Sequence, residues 1–133
     1  MDHSLLFSYL QLGQYEGFLL FFAIFLALAI GHAIGDFPLQ GAFLALTKDP
    51  NNKEGVVGEL KYGWLFSLLS HCLIQAGIVW IITGSLLFCV IELVLHIFID
   101  YGKFKFKYSF ITDQIFHYAC KLAYAAVITF ILI

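Results

Sequence analysis

The sequence predicts an all-α membrane protein: a four-helix transmembrane bundle preceded by an N-terminal interfacial helix. Three observations lead there: an extreme apolar composition, apolar runs of membrane-spanning length, and a one-sided distribution of lysine. The chain has 133 residues, of which 62% are hydrophobic and only 12% charged, with a mean hydropathy of +0.92. A soluble domain of this length needs far more polar surface. Every basic residue is lysine, and the net charge of -2 gives no reason to expect a nucleic-acid partner. The length suits a single transmembrane domain over residues 1–133.

Residues 1–17 are apolar, but Gly13, Glu16 and Gly17 interrupt them. They read as an interfacial helix leading into the first span. The basic n-region of a cleaved signal peptide is missing, so the segment is expected to stay in the mature protein. Spans are expected at about 18–37, 62–82, 85–102 and 110–133. A helix needs about 20 apolar residues to cross the hydrocarbon core, and the third run is somewhat short. Thr83-Gly84 marks a tight turn between the second and third spans.

Four spans put residues 38–61 and 103–109 on one side and both termini on the other. Lys48, Lys53, Lys61, Lys103, Lys105 and Lys107 all fall on the first side, and Lys121 lies within span four. The positive-inside rule then makes the lysine-bearing loops cytoplasmic and both termini external. The expected location is the bacterial inner (cytoplasmic) membrane, as a multi-pass protein.

Seven polar residues then fall at one depth, near the cytoplasmic boundary: His32, Asp36, His71, His96, Asp100, Asp113 and His117. The topology was fixed without them. Residues four apart share a helix face, and His32/Asp36, His96/Asp100 and the reversed Asp113/His117 all have this spacing. The reversal matches the opposite direction of span four, so each aspartate is nearer the water and each histidine about one turn deeper. "LAIGHAIGDF" beside "LVLHIFIDY" reads as a weak repeat.

Ionisable residues in a membrane are costly and point to function by default. Imidazole and carboxylate suit a divalent metal, zinc first, with iron or manganese as alternatives. Seven donors exceed the needs of one tetrahedral ion, so one or two ions fit. Asp36, Asp100 and Asp113 are the candidate catalytic groups, as ligands or as orienting and proton-accepting carboxylates. Gln40, Gln75, Glu92, Gln114 and Lys121 are candidates for the supporting layer behind the ligands. A single His–Asp pair four apart is more often a local hydrogen bond than a site. Three pairs and a fourth histidine at one depth shift the balance towards metal. A proton relay or a polar helix-packing network is the competing reading.

"KFKFKYSF" alternates lysine with aromatic rings, which suits an interface. Lys103, Lys105 and Lys107 are expected as a positive-inside anchor, or as contacts for an anionic lipid or phosphorylated substrate. "GAFLALTK" reads as a continuation of span one beyond the membrane, followed by the turn-rich "KDPNNKEG". Cys72, Cys89 and Cys120 are odd in number and scattered, with no disulfide framework. His3 reads as an ordinary exposed histidine.

"HAIGDFPLQ", the span-two histidine, "HIFIDYGK" and "DQIFHY" together resemble the pattern of the DUF3307 family of small bacterial and phage membrane proteins, over roughly residues 20 to 130. That resemblance implies four membrane helices and brings no established activity. A looser similarity connects the chain to membrane-bound metal-dependent hydrolases, which also carry His and Asp on short spans. The expectation is metal-dependent hydrolysis of a membrane-associated substrate, such as a phosphate ester. A cation or proton transporter is one alternative. A structural or regulatory membrane protein without catalysis is the other. Membrane lipids are the expected surroundings, and four short helices enclose so little room that a homo-oligomer is open.

Overall fold

The computed structural model describes residues 11–53 and 55–132. Most of the expected interfacial helix, and His3, lie outside these residues. Within them, Leu12–Gln14 makes a 3-10 turn, and Tyr15 and Glu16 are extended before the first long helix. Helix α1 is Gly17–Ile34 and runs on through a π turn at Gly35–Leu39. The short helices α2, Gly41–Thr47, and α3, Gly55–Glu59, follow. The remaining long helices are α4, Gly63–Thr83, α5, Leu86–Phe106, and α6, Phe110–Val127, which ends in a π turn at Ile128–Leu132. There is no strand among the described residues.

The four long helices close a ring: α1 packs on α4, α4 on α5, α5 on α6, and α6 back on α1. Each presents one buried stripe at helical spacing. In α1 it is Leu20, Ile24, Leu28 and His32; in α5 it is Phe88, Glu92, His96 and Asp100. In α4 it is Ser67, His71, Gln75, Val79 and Ile82, and in α6 it is Asp113, His117, Lys121 and Ala125. Every stripe changes character along its length. One end of the interior is apolar, built from Leu20, Ile24, Leu28, Val79, Ile82, Phe88, Tyr124 and Ile128. The other end holds the histidines and aspartates.

The outer surface is the reverse of a soluble protein's. Phe18, Phe22, Phe66, Phe98 and Ile111 are all exposed, while charged groups lie inside, an arrangement suited to lipid rather than water. Among the described residues, three segments are long and apolar enough to cross a membrane: Gly17–Leu39, Gly63–Thr83 and Phe110–Leu132. The third expected span corresponds to helix α5, which at 21 residues is longer than the sequence suggested but is not among those three. It is less apolar because Glu92, Asp100, Lys103 and Lys105 fall within it.

The helix ends are set by local chemistry. Gly84, at φ +67°, closes α4 in the left-handed region that glycine tolerates best. The Ser85 hydroxyl then caps α5 by accepting from the Phe88 amide, and Ser109 caps α6 by accepting from Thr112. Pro38 cannot donate to a regular α ladder, and the π turn around it absorbs the fault. Gly41, at φ +59°, then turns the chain. The α2 helix therefore does not prolong α1 as a straight rod. It folds over the end of α4, where the Thr47 and Ser67 hydroxyls meet at 2.9 Å.

Candidate metal centre

The four histidines come from four different helices and meet in the polar half of the interior. His32, His71 and His96 have no exposed surface, and His117 has almost none. The His96 and His117 rings stack with centroids 4.0 Å apart. His32 lies 4.9 Å from His117, and His71 lies 5.0 Å from His96. Nε2 of His96 and Nε2 of His71 approach to 3.1 Å.

The aspartates stand among these rings. Asp100 is central: Oδ1 is 3.1 Å from His117 Nε2, and Oδ2 is 3.5 Å from His71 Nε2. Asp36 reaches His71 at 3.4 Å and His32 at 3.5 Å. Asp113 lies 3.7 Å from His117. All seven ligand candidates from the sequence are thus brought together.

A supporting layer surrounds them. The Glu92 carboxylate accepts from His96 Nδ1 at 2.9 Å, and the Lys121 ammonium donates to the same Glu92 oxygen at 2.5 Å. Donation from Nδ1 to a carboxylate leaves the His96 Nε2 lone pair facing the cluster, the tautomer a metal ligand needs. Gln75 donates to Asp36 Oδ1 at 2.7 Å, and Gln114 donates to Asp36 Oδ2 at 2.8 Å. Gly35 makes room for this, since a Cβ there would stand 2.5 Å from the Gln75 amide nitrogen. Gln40 is different. It donates to the Asp36 backbone carbonyl rather than to the carboxylate, so it braces the π turn.

Two lysines close the remaining side. Lys103 lies in the lysine-aromatic segment read as a positive-inside anchor or an anionic contact, and its ammonium also donates to Asp113 Oδ2 at 2.9 Å. Helix α5 persists to Phe106, so Lys103 and Lys105 belong to its last turn, where cations suit the helix dipole. Lys105 and Lys107 are exposed. Lys48 is the residue the sequence reading missed. It is mostly buried, and its ammonium donates to Asp100 Oδ2 at 2.6 Å. The fold of α2 over α4 carries it there.

The residues fit a metal ion on three grounds. Three triads each offer donor atoms within 4.8 Å of one another: His32/His96/His117, Asp36/His71/His96 and Asp100/Asp113/His117. The close donor pairs span 3.1 to 3.7 Å, against roughly 3.3 Å for two ligands on a tetrahedral zinc with bonds of about 2.0–2.1 Å. Buried polar atoms also lack hydrogen-bond partners: both ring nitrogens of His32, Nδ1 of His71 and Oδ1 of Asp113. Such atoms are costly to bury unless something satisfies them. Cys72, Cys89 and Cys120 are free thiols and belong to none of these triads.

Tyr108 braces the site from outside the helices. Its hydroxyl donates to the Ile99 carbonyl in the last turns of α5. Burial, and then the carboxylates of Asp113 and Asp100, push its phenol up to about 12.

Comparison with known proteins returns no curated protein and no solved structure that matches. A protein-family match spans residues 24–132 and carries the description "Protein of unknown function (DUF3307)". That range takes in α4, α5, α6, α1 from Ile24 onwards and every histidine and aspartate of the cluster, and the chain belongs to the DUF3307 family.

Proposed function

We propose that the four long helices form a four-helix transmembrane bundle in the bacterial inner membrane, with the lysine-bearing end cytoplasmic and both termini outside. Its His/Asp centre binds a divalent ion, zinc first, and hydrolyses a membrane-associated phosphate ester. The observation carrying this reading is the convergence of three donor triads, sharing His96 and His117, in the buried polar interior. When bound, such an ion supplies Lewis acidity and a water acidified towards pH 7.

The chain's own residues supply the rest. Asp100, facing His71, His96 and His117, would orient those imidazoles and could hold a proton beside the centre. The Glu92–His96 contact fixes one imidazole in its ligand tautomer. Lys48 and Lys103 stand at the lysine-bearing rim, where a phosphate would first meet the site. The anionic leaving side of the substrate suits this rim, and an acyl portion would remain in the bilayer.

Elemental mass spectrometry on detergent-purified protein tests the metal, after reconstitution with zinc, iron or manganese in turn. Phosphate release from mixed micelles of anionic phospholipid tests the chemistry. The reading expects bound metal and release that falls in Asp100→Asn. A folded protein that takes up none of the three ions would refute the metal centre. A loaded protein that turns over none of the phosphoesters would refute the hydrolase.

A further inference from the structure

The polar interior holds four carboxylates, and they are not treated alike. Asp100 receives Lys48 at 2.6 Å, Asp113 receives Lys103 at 2.9 Å and Glu92 receives Lys121 at 2.5 Å. Asp36 receives no lysine: its ion-pair neighbours are His32 and His71, and its hydrogen bonds come from the neutral amides of Gln75 and Gln114. Among the described residues, Asp36 is therefore the one carboxylate of the four with no ammonium group beside it. A partly buried carboxylate met only by imidazoles and neutral amides has the least of its charge offset, and such charge is costly to leave unbalanced.

Building on the metal reading above, we infer that the centre takes one divalent ion rather than two, and takes it at Asp36, His71 and His96. The three donors form one of the compact triads. Each Asp36 oxygen accepts one amide hydrogen bond and keeps a second lone pair for an ion. His96 already offers Nε2, because Nδ1 is committed to Glu92. His71 Nε2 lies between them, 3.1 Å from His96 Nε2 and 3.4 Å from Asp36 Oδ1.

The other two triads are poorer hosts. Three imidazoles can hold zinc, but an ion at His32/His96/His117 leaves the lysine-free Asp36 outside the ligand set. In Asp100/Asp113/His117 both carboxylates are already answered by ammonium groups, so two lysines stand where the charge of a second ion would go.

Zinc titration against a competing chelator, with stoichiometry by elemental mass spectrometry, tests this. Wild type should hold one equivalent. Asp36→Asn should lose more than about 100-fold in affinity, beyond what an outer-layer change brings, and Asp100→Asn should stay within about 10- to 100-fold. The double variant Lys48→Gln/Lys103→Gln should rise from one equivalent to two, because its second triad is no longer filled by ammonium. Circular dichroism matching wild type separates this gain from zinc taken up by exposed histidines and cysteines of a misfolded chain. Two equivalents in wild type, a loss in Asp100→Asn equal to that in Asp36→Asn, or a double variant that stays at one equivalent would each overturn the inference while leaving a metal centre in place. A wild type that binds no zinc would overturn both together.

Discussion

Replacing Lys121 by methionine tests whether the deepest ion pair holds the helices together. Lys121 and Glu92 are both fully buried, 2.5 Å apart, on neighbouring helices α6 and α5. Methionine keeps most of the aliphatic stem and removes the charge, leaving a carboxylate in a low-dielectric interior. Breaking a buried pair this way costs about 3–5 kcal/mol. Ordinary interhelical hydrogen bonds in membranes average only about 0.6 kcal/mol, so the two cases are well separated. Glu92→Gln strands the ammonium and should cost a similar amount. The double variant strands neither charge and still offers His96 Nδ1 an amide oxygen, so its loss should be only about 1–2 kcal/mol. Equilibrium unfolding in mixed micelles, followed by the fluorescence of Trp64 and Trp80, measures all three. Single losses below about 1 kcal/mol, or a double variant whose loss equals the sum of the singles within about 0.5 kcal/mol, would refute a charged, mutually dependent pair.

Glu92→Gln should also weaken zinc binding by about 10- to 100-fold, because His96 loses the carboxylate charge that raises its basicity as a ligand; chelator competition measures it, and unchanged affinity would contradict that role. Gly35→Ala puts a Cβ 2.5 Å from the Gln75 amide, so thermal unfolding should show a loss of about 1–3 kcal/mol, largely relieved by adding Gln75→Ala. Tyr108 has a folded pKa of about 12 against 10.0 in the unfolded chain. Its stabilising contribution is therefore complete below pH 10 and lost as pH rises towards 12, and Tyr108→Phe should remove that part of the alkaline unfolding profile.

Much of the fold was legible because lipid imposes one rule on every span. Runs of apolar residues near 20 long mark the helices, and four-residue His–Asp spacings mark faces that must turn inward. Glu92 and Lys121 were readable as supporting groups from the same periodicity. Lys48 was not. Nothing local separates it from Lys53 or Lys61, which share its loop; its burial depends on the turn at Gly41 and the docking of Thr47 on Ser67. The Lys103–Asp113 contact was hidden for a related reason: the residues around Lys103 alternate with phenylalanine in a pattern that suits an interface, and that pattern does not show the helix running on to bring this side chain to Asp113. The π turn at Gly35–Leu39 was also hidden, since Pro38 signals an interruption without saying how it is absorbed.

The stripes that change from apolar to polar along each helix constrain how such a chain can vary. Each added or removed residue turns everything beyond it by about 100° and shifts it by about 1.5 Å. Deleting one leucine between Ile24 and His32 would leave the hydropathy of that helix nearly untouched and would swing His32 out of the interior. Exchanging the exposed phenylalanines and leucines for other apolar residues would disturb almost nothing. In this protein the information lies in the counting between donors rather than in the identity of the residues that do the counting, and drift by substitution is open where drift by insertion is closed.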